Sequence, residues 1–274
     1  MSMIKTIVTD CDDTLLRDDA TLSDYTADVI KRACAKGVRV ILASGRASAS
    51  ILPLMEKLGL SGPYIACNGA VTADAGTGEL LESLFFSVED ARKCARFYED
   101  QQMYAQFYIK DRFYYNRQGP YCRHYAKRTA LEGVFVGPLP DAIQEPIGKL
   151  LGIDQPETIT KAYHKAAALF KGLASVVISR PNFLEMEPLG ATKGEALDRL
   201  ARRVGIDPET TLAFGDSIND MTMIKWAGYG VAVENARDEV KACARYICPP
   251  NSMDGVAKMI EELVLAEGCY DSRE

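Results

Sequence analysis

An α/β fold is what the sequence predicts: a doubly wound, Rossmann-like parallel sheet carrying an inserted α+β unit. Short apolar, β-rich runs alternate with stretches of helical periodicity from residue 4 to about residue 82. Paired strand patterns replace that alternation from about 83 to 187, and it resumes beyond Pro188. A core of residues 1–82 and 188–274, interrupted by a unit spanning 83–187, accounts for all three observations.

Taken in order, residues 4–9 (IKTIVT) read as a strand, and 23–36 as a helix with apolar positions at Tyr25, Val29, Ile30, Ala33 and Cys34, closed by Gly37. Residues 38–43 are β-rich again, a helix follows near 48–58, and YIAC at 64–67 is a third strand. In the insert, Ser87 with Asp90 three residues on opens a helix in capping-box spacing. YAQFYI and FYYN, joined across Asp111 and Arg112, form a hairpin. A polar, aromatic-rich segment comes next, then a strand near 147–153, a helix near 156–171, and the strands ASVVIS and FLEME around Arg180-Pro181-Asn182. Past Pro188 the pattern is a helix at 193–203, a strand at 211–214, a short helix after Asn219, a strand at 229–233 and a last helix near 254–265.

With 274 residues, 47% of them hydrophobic, the chain can bury a proper core. A net charge of −6 and a pI near 5.2 argue against a general binder of nucleic acid or anionic membrane, which relies on Lys and Arg. No apolar run approaches the ~18 residues of a membrane span, and MSMIKTIVTDC lacks an export pattern, so a cytoplasmic protein is expected. The eight cysteines show no CxxC pair and read as reduced thiols, mostly small core residues. Only His124 and His164 occur, which points to carboxylate chemistry rather than a histidine triad or multi-histidine metal site.

Asp10, Asp12 and Asp13 crowd the end of the first strand. Carboxylates about 4 Å apart repel by ~4 kcal/mol at an effective dielectric of about 20, so the cluster needs a cation, a proton or open water. A calcium loop is excluded, because Leu15 stands where glycine is required and Thr21 where the bidentate glutamate belongs. In an open parallel sheet, ligands bind beyond the carboxyl ends of the strands. Those ends carry Asp10, Asp12, Asp13 and Thr14; Ser44, Gly45 and Arg46; Asn68 and Gly69; and Gly215, Asp216, Ser217, Asn219 and Asp220. Lys193 opens the helix after the insert. Taken singly, Ser44-Gly45-Arg46 is an ordinary turn and Lys193 a solvated helix start. Together they supply what phosphoryl transfer to a carboxylate requires: a nucleophile, a metal site and cationic stabilisers.

DCDDTLL, ILASGR, TKGEAL and GDSINDMTMI resemble the four ordered motifs of the haloacid dehalogenase-like hydrolase superfamily. The insert resembles the large α/β cap of its Cof-type phosphatase branch, and the resemblance spans nearly the whole chain. It implies Asp10 as nucleophile and Asp12 as general acid and later base. It implies Ser44 and Lys193 at the phosphoryl group, and Mg²⁺ held by Asp10, Asp216, the Asp12 carbonyl and, in support, Asp220. Asn219 would position substrate or Lys193. Asp13 stands where the family often has glycine, and is expected to face solvent. Gly45, Arg46, Asn68 and Arg180 are further candidates for substrate binding.

The expected activity is Mg²⁺-dependent hydrolysis of a small soluble phosphate monoester, a sugar phosphate or a phosphorylated cofactor. The expected partner is that phosphorylated molecule alone, with no nucleic acid or membrane, the chain being a monomer or small homo-oligomer. A phosphomutase or phosphotransferase, or a non-catalytic Mg²⁺-binding regulatory protein, stands as the alternative. The basic stretch from Lys110 to Arg128 either draws in anionic substrates or is a solvated or partner-facing surface.

Overall fold

A computed structural model of the chain describes residues 4–266. Five strands form a parallel sheet in the order Tyr246–Cys248, Tyr229–Val233, Thr211–Gly215, Thr6–Thr9, Arg39–Leu42. The central strands are buried along their whole length, as expected of a parallel sheet covered on both faces. Successive side chains divide between two cores. Ile7, Leu42, Leu212 and Phe214 pack with Val29 and Ile30 of the helix Asp24–Ala35. Val8, Ile41 and Ala213 pack with Leu197 and Leu200 of the helix Lys193–Val204. That helix starts where Thr192 accepts the Glu195 N–H, and ends at Gly205 in the left-handed region.

The strand expected at 64–67, observed as Pro63–Ala66, does not extend the parallel sheet as a full member. It touches it through one bridge, Ala43 to Ile65, and begins a three-stranded antiparallel sheet with Val71–Asp74 and Leu80–Ser83. The last two strands escape the pattern because Thr72, Asp74, Glu82 and Ser83 break any apolar run.

Residues 104–188 form a six-stranded sheet in the order Ala174–Arg180, Phe183–Pro188, Leu150–Ile153, Tyr104–Ile109, Arg112–Tyr115, Glu132–Phe135. All its neighbours are antiparallel except the last pair. Helices Val88–Asp100 and Pro156–Leu169 cover one face. The other face carries Tyr104, Tyr108, Phe113 and Leu151, packs with Tyr125 of helix Pro120–Thr129, and meets Ala47, Cys67 and Ala70 near the parallel sheet's end. That helix and the strand Glu132–Phe135 lie in the polar, aromatic-rich segment the sequence left unassigned. The strand expected at 147–153 is shorter, since Ile147 makes only a single bridge, to Phe86.

Among the described residues, no helix is long and apolar enough to cross a membrane. The seven described cysteines are free, and Cys269 lies outside the described residues, as do residues 1–3 of the N-terminal stretch.

Candidate active site

Parallel register places the strand ends abreast: Thr9 lies opposite both Leu42 and Phe214, and the Asp10 N–H donates to the Phe214 carbonyl. The turn Cys11–Leu15 then folds back, with Asp13 in the left-handed region at φ 59°. Asparagine and aspartate tolerate that conformation better than most residues. Asn68 uses it too, at φ 54°, where residues 67–69 turn beneath the six-stranded sheet, the second of the two large sheets.

At the centre, the fully buried Lys193 ammonium donates to Asp10 Oδ1 and to Asp220 Oδ1, each at 2.5 Å. Burial alone would lower the Lys193 pKa, but the two carboxylates overturn that and raise it, so the group is a permanent cation. Burial lifts Asp10 to about 7 against the pull of Lys193, with the charges of Asp220 and Asp12 adding to the rise. Asp220 Oδ2 accepts the N–H groups of Asp216 and Ser217, both at 3.0 Å. A Cβ at Gly215 would come within 2.3 Å of the Asp220 Cβ, so glycine there is what lets Asp220 sit against the strand end.

Asp10, Asp216 and Asp220 each present an oxygen, all within 4.8 Å of one another. Burial first, then the charges of Asp220 and Asp10, push Asp216 well above the usual carboxylate range, opposed by the Thr14 hydroxyl donating at 2.9 Å. A hard, oxygen-seeking divalent cation fits this donor set, since it relieves the mutual repulsion behind that rise. With both its oxygens committed, Asp220 buttresses the cluster more than it ligates.

Asp12 faces away from the cluster. Arg46 grips it with two hydrogen bonds, 2.8 and 2.9 Å, while Arg128 reaches it at 3.0 Å and Arg180 at 3.7 Å. Burial raises its pKa, but Arg46, then Arg180 and Arg128, hold the carboxyl well below the usual range. The proton expected on Asp12 is therefore absent in this arrangement. Nor does Asp13 simply face solvent: it is half-buried, with Arg180 at 2.6 Å and Arg128 at 3.4 Å.

These groups line one open cleft. Asp10, Asp12, Ser44, Gly45, Arg46, Arg180, Asp216, Asn219 and Asp220 all line it. Lys193 lies beneath, and Asn68 touches it through Asn219, whose Nδ2 donates to Asn68 Oδ1 at 2.9 Å. Arg128 is the member of the basic stretch that enters; Arg123 and Lys127 are exposed, and Arg112 pairs with Glu132. His124 and His164 are exposed. Cys11 and Cys67 are buried beside the site, their thiols pushed up by burial to about 12 and about 11, so they are poor nucleophiles.

Sequence reasoning missed Lys149, Glu185, Tyr125 and Phe183, which form the second-sheet wall of the cleft. A signal existed for two of them: Lys149 and Glu185 are charges inside strand-like runs, and buried charges demand partners.

A carboxylate array around one buried lysine, at the carboxyl edge of a parallel sheet and under the six-stranded sheet, marks an α/β protein with its ligand site at the strand ends. The profile of the haloacid dehalogenase-like hydrolases matches residues 7–260. A 5-amino-6-(5-phospho-D-ribitylamino)uracil phosphatase of Bacillus subtilis is 33% identical over 96% of this chain and 96% of its own length. A pyridoxal phosphate phosphatase of Escherichia coli is 26% identical over 93% and 97%. The crystal structure of a haloacid dehalogenase-like hydrolase from Bacteroides thetaiotaomicron superposes with a TM-score of 0.85 at 28% identity, covering 94% of this chain and 99% of that one. The chain belongs to the haloacid dehalogenase-like hydrolase family. It is an enzyme of the phosphatase class.

Proposed function

We propose that the protein is a Mg²⁺-dependent phosphatase that hydrolyses small phosphate monoesters, sugar phosphates or phosphorylated cofactors, through an aspartyl-phosphate at Asp10. Residues 1–82 and 188–274 act as the catalytic core and 83–187 as a cap. The observation that carries the reading is Lys193, held between Asp10 and Asp220 beside Asp216. A carboxylate nucleophile needs a fixed cation at its side, and a metal cluster needs carboxylates in surplus of that cation.

Asp10 Oδ1 is occupied by Lys193, which leaves Oδ2 to attack phosphorus. The phosphoryl group moves from the ester oxygen to Asp10, and water then cleaves the acyl phosphate, regenerating the carboxylate. Asp10 and Asp216 would hold Mg²⁺, which when bound would supply charge stabilisation to the phosphoryl oxygens. Lys193 neutralises charge that develops at Asp10 and the transferring group, and Ser44 offers its hydroxyl to a phosphoryl oxygen. Asp12 takes up a proton once the arriving anion draws Arg46, Arg128 and Arg180 from it, and delivers that proton to the leaving oxygen. It later takes a proton from the attacking water.

Two results are expected. Phosphate release from a panel of phosphorylated metabolites stops in EDTA and returns with added Mg²⁺; release that survives chelation overturns the metal requirement. Arg128→Met raises KM about tenfold and flattens its dependence on salt, because an exposed-edge cation draws in anions through a screened field. Steady-state kinetics at low and high salt check it, and an unchanged KM would assign Arg128 to closure alone.

A further inference from the structure

A buried polar network joins the second sheet to both turns that carry Ser44 and Asn68. Lys149, 2% exposed, donates to the Gly45 carbonyl at 3.0 Å and to Glu185 Oε1 at 2.6 Å. Asn68 Nδ2 donates to Glu185 Oε2 at 2.5 Å and to Glu187 Oε1 at 2.6 Å. We propose that Lys149 and Glu185 are positioning residues for the cleft, fixing the Ser44 hydroxyl as a donor to the phosphoryl group and the Asn219 side-chain carbonyl as an acceptor for a hydroxyl of the substrate or of water. The inference rests on the phosphatase reading above.

One peptide plane links Lys149 to Ser44. The Gly45 carbonyl and the Arg46 N–H belong to the same planar unit and point opposite ways. Lys149, by holding the carbonyl, sets the plane in which the Arg46 N–H donates to Ser44 Oγ at 3.2 Å. An oxygen that accepts there keeps its own proton for a phosphoryl oxygen. The turns are packed against each other to make this possible: a Cβ at Gly45 would lie 2.9 Å from Asn68 Oδ1.

Two side-chain amides link Glu185 to the cleft. Both Asn68 Nδ2 hydrogens are taken by the glutamates, so its Oδ1 is turned to Asn219 Nδ2 at 2.9 Å. Among the described residues Asn219 Oδ1 then has no partner, though it is buried at the wall of the cleft. A buried acceptor without a donor is costly and awaits a ligand group. Burial, then the neighbouring Glu185, pushes Glu187 well above the usual carboxylate range. Residues of the inserted unit thereby orient phosphate-side groups, besides walling the leaving-group side.

The test compares Glu185→Gln, Lys149→Met and their double variant with Ile159→Ala, a buried site in the second sheet's helical layer far from the cleft. Expected is a fall in kcat of roughly 10–100-fold for each single variant, KM within about threefold, and a double variant no slower than the worse single one. Ile159→Ala, which only loosens packing, lowers Tm and leaves kcat intact. Glu185→Gln is isosteric, and near-UV circular dichroism checks its fold; a Glu185→Gln chain that does not fold assigns the pair to stability and overturns the proposal. Full kcat in both single variants of an active enzyme, or a rise in KM alone, overturns it too. A wild-type chain that releases no phosphate overturns the phosphatase reading and this inference with it.

Discussion

Asp10→Asn lowers phosphate release by roughly 10⁴-fold or more from every ester the enzyme accepts. The amide keeps the shape of the carboxylate but has no charge with which to attack phosphorus. The fold survives, because Lys193 keeps its 2.5 Å contact with Asp220 and a desolvated charge has been removed. Phosphate release measured beside a thermal melt separates the two effects: an unchanged melt with lost turnover is expected. Residual turnover within about a hundredfold of wild type would remove Asp10 as the nucleophile, since the oxyanion-stabilising groups alone cannot supply that much.

Lys193→Met is expected to cost about 3–5 kcal/mol of stability in EDTA, the usual penalty for stripping a partner from buried charges. Asp10 and Asp220 are both buried, and among the described residues Lys193 is the cation that bridges them. Added Mg²⁺ should recover part of the lost Tm, because a cation bound among Asp10, Asp216 and Asp220 replaces some of the missing charge and binds only the folded state. Turnover is expected to fall by about 10³-fold even with Mg²⁺ present, as a methionine cannot neutralise the developing charge at Asp10. A melt that ignores Mg²⁺ in this variant would speak against a metal at the carboxylate cluster.

Legibility in the sequence followed locality. The parallel sheet was readable because its strands are short apolar runs, each ended by a polar cluster, and the cluster itself marks the ligand edge. Asp10, Ser44, Lys193, Asp216 and Asp220 were identified from four motifs spaced along the chain, and the structure brings them to one cleft or directly beneath it. The hairpin at 71–83 and the helix Pro120–Thr129 were missed. Their apolar residues face neighbours supplied by distant segments, so neither shows a self-contained period.

Charge partners were the larger omission. The sequence determined that carboxylates would gather at the end of the first strand, that one lysine would follow the insert, and that the insert would carry basic residues. The motif resemblance already implied Lys193 beside Asp10, and the tertiary structure decided the other pairs: Lys193 to Asp220 as well, Arg46 with Arg128 and Arg180 to Asp12, Lys149 to Glu185. A strand or helix period is set within a few residues, whereas an ion pair depends on how two sheets are docked. Arg128 and Asp12 stand 116 positions apart, a distance over which no local period in the chain carries information.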